Sequence, residues 1–69
     1  MNYPKITLKA ARVNADLSQK EAAAALGVNV ATLQNYESGK TVPDWDTVIR
    51  IGSVYNFPID FISFARDSA

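Results

Sequence analysis

Apolar and small residues recur along the chain three and four positions apart, which is the spacing of one face of an α-helix. No segment alternates strictly between apolar and polar residues as a half-buried strand does, and the apolar run near the C-terminus is short and helically spaced. We therefore expect an all-α fold of five short helices. Their predicted positions are 7–15, 19–26, 30–38, 45–55 and, beginning at Pro58, 58–62.

The second and third predicted helices are bounded by residues that typically start and stop helices. Ser18 and Glu21 have the spacing of a capping box, in which each side chain accepts a hydrogen bond from the backbone N–H of the other residue. Gly27 can end the second helix in the left-handed conformation. Asn29 is a favourable N-cap residue for the third helix, and Gly39 can end that helix.

The composition restricts the functions that the chain can have. It has 69 residues, of which 48% are apolar, so we expect one small domain over 1–69 with a compact core. Cysteine and histidine are absent, which removes disulfides, thiolate metal sites and the commonest general base. A chain of this size also has little room for a closed pocket. We expect no enzyme activity, no metal and no organic cofactor.

Membrane insertion and export are not indicated. The longest apolar run, 22–26, is far shorter than the roughly 20 residues that cross a bilayer. The N-terminus lacks the apolar block of a signal peptide, so we expect a cytoplasmic protein. Met1 fits a natural start, but the sequence equally fits the N-terminal domain of a larger protein.

Charge is balanced over the whole chain but not along it. Residues 1–20 contain four basic and one acidic side chain (+3), and residues 21–69 contain three basic and six acidic ones (−3). A basic end is consistent with a surface that faces phosphates, whereas zero net charge argues against strong non-specific binding to nucleic acid. Charge alone leaves both a nucleic-acid partner and a protein partner open.

The most informative segment is 19–36, which predicts two helices joined by a three-residue turn. Ala23 provides the small residue that a steep crossing of the two helices needs, and Gly27 provides the turn conformation. The predicted buried seam between the helices consists of Ala22, Leu26, Val28 and Leu33. This pattern is typical of a DNA-binding helix-turn-helix, although an ordinary pair of helices in a small bundle remains an alternative.

Five blocks of residues carry a resemblance to a known family. They are, in order, Leu17 to Ala23, Leu26 to Val28, Tyr36 to Lys40, Pro43, and the apolar positions from Val48 to Ile62. Together they cover about residues 6–64, and they resemble the Cro/CI-type (XRE) helix-turn-helix domain of phage and bacterial repressors. The resemblance implies a five-helix lambda-repressor-like fold with its motif at about 18–38. It also implies a sequence-specific transcription regulator whose third helix enters the major groove of double-stranded DNA.

The resemblance also implies which residues touch the DNA. The base-contacting positions are Val30, Ala31, Gln34 and Asn35, and the phosphate-contacting positions are Gln19, Lys20, Asn29, Thr32 and Lys40. Gln34 or Asn35 can pair with adenine through two hydrogen bonds, and the two apolar side chains can touch thymine methyl groups. An ordinary solvated surface remains the alternative role for the polar residues.

Arg12 and Glu37 lie on predicted inward faces, and they match positions that form a buried ion pair in the resembling family. A lone buried charge is very costly, so these two residues should be paired and should serve the structure.

A dimer and a protein partner are the remaining expectations. The C-terminal cluster has more large apolar groups than one short helix can bury, so we expect part of it to form a homodimer contact; its members are Phe57, Ile59, Phe61, Ile62 and Phe64. A dimer would read two half-sites about 34 Å apart. The alternative function is an antitoxin or docking module that uses the same fold mainly to bind a protein, and zero net charge favours it.

Overall fold

The structure, a computed structural model, describes residues 5–64. The elements in chain order are β1 (Ile6–Thr7), α1 (Leu8–Asn14), α2 (Gln19–Leu26), α3 (Val30–Ser38), α4 (Trp45–Tyr55), a 3₁₀ turn (Ile59–Phe61) and β2 (Ile62–Ser63). Helices α2, α3 and α4 have the predicted bounds, and α1 is one residue shorter at each end than predicted. The predicted domain, 1–69, extends at both ends beyond the described residues.

Local hydrogen bonds set the helix ends. At the start of each α-helix a side-chain oxygen accepts from the backbone N–H three residues later; these capping residues are Thr7, Ser18, Asn29 and Asp44. The predicted capping box is confirmed, because Glu21 Oε1 also accepts from the Ser18 N–H at 2.9 Å. Gly27 and Gly39 end α2 and α3 with φ of 75° and 80°, in the left-handed region that glycine adopts without strain.

The core lies where the four α-helices meet. Leu26, Leu33 and Ile51 are fully buried there. Ala22 and Ala23 on α2 are also buried, and their small side chains let α3 cross α2 closely. Val28, the remaining member of the predicted seam, is partly buried against this cluster. The other buried apolar residues are Leu8, Ala11, Tyr55 and Ile62.

The described residues contain no fifth α-helix, and the expectation of no strand is also wrong. Ile59–Phe61 form one 3₁₀ turn, and Ile62–Ser63 pair in parallel with Ile6–Thr7, with Ile62 beside Ile6. Pro58 is extended, with ψ of 125°, rather than helical. A helix of five residues would close very few hydrogen bonds. Pairing with β1 instead satisfies backbone groups of a β-favouring segment and leaves Ile62 only 2% exposed.

Gly52 brings the 3₁₀ turn close to α4. A Cβ placed on Gly52 would lie 2.6 Å from Cγ2 of Ile59, well inside van der Waals contact. The missing side chain therefore lets the chain fold back over α4 and reach β1. Ile59 is branched at Cβ, so its Cγ2 cannot swing away as freely as the end of a long side chain can.

We expect Gly52→Ala to destabilise the protein by about 1–2 kcal/mol, because overpacking outweighs the gain of about 1 kcal/mol from replacing glycine within a helix. Urea unfolding measures the change. Ser53→Ala, at the next and exposed position, is the control and should be neutral or stabilising. In an Ile59→Ala background the Gly52→Ala cost should disappear. An equal cost in both backgrounds would show that the contact with Ile59 is not the cause.

Candidate nucleic-acid interface

The turn between α2 and α3 is held by backbone hydrogen bonds and by one side chain from α4. The Val28 N–H donates to the Ala23 carbonyl oxygen at 3.0 Å, which closes the turn around Gly27. Arg50 of α4 donates from Nη1 to the Leu26 carbonyl oxygen at 2.9 Å. A cation at this position also complements the negative end of the α2 dipole. The angle between α2 and α3 is therefore fixed by a hydrogen bond within the turn and by the bond from α4.

Helix α3 has one face in the core and one face outside. Leu33 is fully buried, and the Glu37 side chain is only 6% exposed. The four predicted base-contacting residues do not all lie on the outer face. Ala31 and Gln34 are exposed, whereas Val30 and Asn35 are half-buried, and Val30 also packs against the core. The exposed face thus presents a small apolar group beside an amide side chain.

A continuous chain of hydrogen bonds joins the interior to this exposed face. Arg12 Nε donates to Glu37 Oε2 at 2.7 Å, and both side chains are more than nine-tenths buried. Gln19 Nε2 donates to Glu37 Oε1 at 3.0 Å. Gln34 Nε2 in turn donates to Gln19 Oε1 at 3.3 Å. The structure therefore brings together four of the predicted site residues, two from the interior and two from the surface.

These bonds leave each of the two glutamine amides with unused hydrogen-bonding groups. Each amide nitrogen carries two N–H groups, and each glutamine uses one of its two N–H groups in the hydrogen bonds described above. Gln34 keeps one donor and one acceptor, which is the pair that the adenine edge requires in the major groove. Gln19 keeps one N–H at the N-terminus of α2, where a phosphate oxygen would also meet the positive end of the helix dipole. One amide thus suits a base and the other suits a phosphate.

The other predicted phosphate-contacting residues lie outside this chain of hydrogen bonds. Lys20 is exposed on the first turn of α2. Asn29 is exposed before α3, and its Oδ1 accepts from the Thr32 N–H at 2.8 Å, which leaves the amide nitrogen as the group that could donate to a phosphate. Thr32 is half-buried. Lys40 is exposed just after α3, and its backbone N–H donates to the Asn35 carbonyl oxygen at 3.0 Å.

Sequence reasoning missed the roles of two residues on α4. No sequence motif indicates the role of Arg50, because its hydrogen-bond acceptor is a backbone carbonyl at the end of another helix. Tyr55 is buried, and its hydroxyl group has no hydrogen-bond partner among the described residues, an arrangement that no sequence pattern indicated. The charges of Glu37 and Arg12 act on this hydroxyl, so it belongs to the same interior region as the ion pair.

Residues 5–64 contain no group of three acidic side chains that could hold a metal ion. Within the same range, each helix is too short or too polar to cross a membrane.

Comparison with known proteins gives one family and one relative. A family model described as Helix-turn-helix matches residues 8–62. The chain is 40% identical over 55 residues to the HTH-type transcriptional regulator ImmR of Bacillus subtilis (strain 168). The matched region is 80% of this chain but 43% of that relative, so the chain spans less than half of the relative's length. No solved structure matches the chain.

The ion pair makes a direct prediction about stability. Arg12→Ala or Glu37→Ala should each cost about 3–5 kcal/mol, because the remaining partner stays buried and uncompensated. Replacing both with methionine should cost less than either single change, since no lone charge then remains. Thermal and urea unfolding measure these differences, with exposed Lys9→Ala as the control. An Arg12→Ala variant that melts like the wild type would contradict the structural role.

Tyr55 makes a prediction about alkaline pH. Burial raises the pKa of the Tyr55 hydroxyl to about 12, and the negative charge of Glu37 acts in the same direction. The unfolded chain has a tyrosine pKa of about 10, so the folded protein holds this proton more tightly. The resulting stability is complete below about pH 10 and is lost as the pH rises toward 12, by up to about 2–3 kcal/mol.

Tyr55→Phe isolates this effect, because every other titratable group is the same in the two proteins. The variant should be as stable as the wild type or more stable at pH 7, since it removes a buried hydroxyl that has no partner among the described residues. Its stability should also fall less between pH 10 and 12, as measured by urea unfolding at each pH. Parallel losses in the two proteins would show that the hydroxyl is not the group responsible.

Proposed function

The chain belongs to the XRE-type helix-turn-helix family, and from this membership we propose that it regulates transcription by binding a specific sequence in double-stranded DNA. The observation that carries the proposal is the exposed face of α3, where Gln34 is held by Gln19 with one donor and one acceptor left over. A side chain already fixed in this way loses less conformational entropy when it binds a base.

Helix α3 lies in the major groove, with its N-terminal half facing the base edges. Gln34 pairs with an adenine through two hydrogen bonds, and Ala31 touches a thymine methyl group. Val30 and Asn35 are half-buried, so they contact bases only at the periphery of the surface that α3 presents to the DNA. We expect Gln34 to contribute most of the discrimination between sequences.

Phosphate contacts position α3 without reading sequence. Gln19 donates its second N–H to a phosphate at the start of α2, and Asn29 and Thr32 bind the backbone at the start of α3. Lys20 and Lys40 contribute positive charge on either side. Neutral donors outnumber the cations in this set, which suits a chain whose net charge is zero.

The regulator acts as a homodimer on an operator with two-fold symmetry, in the manner of a phage or bacterial repressor in the cytoplasm. One recognition helix of nine residues contacts few bases. A second copy bound one turn of the DNA helix away doubles the number of base contacts. The proposed mechanism uses neither a metal nor an organic cofactor.

Selection of bound sites from a randomised duplex pool tests this function. We expect an enriched inverted repeat, and we expect Gln34→Ala to weaken binding to it by about 5- to 150-fold, which corresponds to about 1–3 kcal/mol. Asn35→Ala should have a smaller effect. Asn14→Ala, which removes an exposed amide from α1, is the matched control and should change nothing.

The lysines give the second part of the test. Lys20→Ala or Lys40→Ala should weaken binding to all sequences equally. Each change should also reduce the slope of the logarithm of the binding constant against the logarithm of the salt concentration by about one unit. A folded wild-type protein that enriches no sequence would overturn the proposal and favour the alternative of a protein-docking module.

A further inference from the structure

The N-terminal end of α4 carries an exposed apolar surface that the proposed DNA contact does not use. Trp45 is 69% exposed, Val42 57% and Ile49 47%. Val42 lies in the loop just before α4, and the other two lie on the helix; we call these three residues the α4 patch. Val13 on α1 is the other exposed large apolar residue among those described, and it lies on a different element. Apolar groups gathered in this way typically mark a protein contact.

The α4 patch is one half of a longer exposed stripe. Trp45, Ile49 and Ser53 are four positions apart along α4 and are all exposed, while Val42 and Asn56, also exposed, flank the two ends of the helix. This is the spacing with which one helix packs along another. The N-terminal half of the stripe is large and apolar, and the C-terminal half is small and polar.

DNA is a poor occupant for this surface. Asp44 and Asp46 lie on either side of Trp45, and both are exposed. Hydrogen bonds from Thr47 lower the pKa of Asp44, so this carboxylate is charged at neutral pH. Two carboxylates beside a phosphate backbone would oppose binding. A protein surface without negative charge at the point of contact suits the stripe better.

The C-terminal cluster, in contrast, offers little surface for a dimer. Ile62 is buried, and Phe57 and Phe64 are half-buried against the core. Ile59 and Phe61 are also half-buried. The apolar side chains that the sequence marked for a dimer contact are therefore largely used within one copy.

We propose that the α4 stripe binds the same stripe of a second copy in antiparallel orientation, with Ile49 of each copy at the two-fold axis. This inference rests on the proposed function, since it specifies how the two copies on one operator touch each other.

The antiparallel arrangement makes the stripe complementary to itself. With Ile49 on the axis, Trp45 of one copy faces Ser53 of the other, so the large half of each stripe covers the small half of its partner. The Trp45 indole N–H, which needs a hydrogen-bond acceptor when buried, then meets a hydroxyl or amide oxygen.

The area of the patch fits a weak dimer. A side chain of the size of tryptophan buries about 150–250 Å², so Trp45 contributes more than about 100 Å² at its exposure of 69%. Two such patches bury several hundred Å², which is below the roughly 1,200 Å² of stable complexes. Two copies held on one DNA molecule would gain effective concentration, so the contact becomes strong on the operator.

Two features of the sequence simplify a test by fluorescence and by crosslinking. Trp45 is the only tryptophan, and the chain has no cysteine. Raising the protein concentration from about 1 µM to 1 mM should shift the Trp45 emission to shorter wavelength as its ring is buried. Ser53→Glu should suppress this shift, because it places a carboxylate opposite Trp45 and its flanking aspartates. Asn14→Glu on α1 is the charge-matched control.

Crosslinking tests the position of the axis. Under mild oxidation Ile49→Cys should form a disulfide dimer at least about tenfold faster than Val13→Cys, since two cysteines on the axis approach within the roughly 4–7 Å between Cα atoms that a disulfide spans. Val13 is similarly exposed but lies outside the stripe. Equal rates for the two variants, or a shift of emission that Ser53→Glu does not change, would overturn the proposal.

DNA binding separates this proposal from the proposed function. Trp45→Ala should leave the affinity for a half-site unchanged within about twofold and reduce the affinity for the full inverted repeat by at least about tenfold. An equal loss on both DNAs would make Trp45 a DNA contact and overturn the dimer surface while leaving DNA binding intact. If the wild type enriches no DNA sequence while the Ile49→Cys variant still crosslinks faster than Val13→Cys, the proposed function alone is overturned.

Discussion

The buried ion pair between Arg12 and Glu37 is the contact on which the rest of the structure depends. Arg12 lies on α1 and Glu37 on α3, and the guanidinium also donates from Nη1 to the Leu17 carbonyl oxygen at 2.8 Å, in the segment that leads into α2. Two charges in the interior are stable only while both remain in place and hydrogen-bonded. The pair therefore fixes the relative positions of three helices more sharply than apolar packing alone, which tolerates small shifts.

The same pair also determines the chemistry at the surface. Glu37 has two oxygens, of which Oε2 serves Arg12 and Oε1 serves Gln19. Gln19 can accept from Gln34 only because its own amide is already oriented by Glu37. The orientation of the side chain proposed to read a base thus follows from a charge in the core. Stability and recognition are linked in this fold through a single carboxylate.

The sequence pattern predicted local features well, whereas a tertiary contact such as the Arg12–Glu37 pair was predicted mainly from the family resemblance. The bounds of α2 and α3 followed from Ser18, Gly27, Asn29 and Gly39, because caps act within a few residues of themselves. The predicted fifth helix is reduced to the 3₁₀ turn Ile59–Phe61, because the chain then pairs from Ile62 onward with β1. That partner lies more than fifty residues away in the chain, and no local preference contains this information. The link between Gln19 and Gln34 was missed for a similar reason, since it depends on how two helices cross. The exposed apolar surface at Trp45, by contrast, had a signal in the sequence, because Trp45 and Ile49 are four positions apart and predict a second apolar face on α4.

Helix α4 connects the proposed dimer surface with the proposed DNA surface. Its inner face carries Ile51 into the core, and Arg50 binds the carbonyl oxygen at the end of α2, next to the turn of the motif. Its outer face carries the α4 patch. Between α3 and α4, the backbone N–H groups of Lys40 and Thr41 both donate to the Asn35 carbonyl oxygen, so the connection is held at its start. In the proposed dimer, a contact on the outer face of α4 therefore acts on α3 through α2, whose C-terminal end Arg50 binds and whose turn leads into α3. The spacing of the two α3 helices in that dimer then depends on the helix that carries the proposed contact.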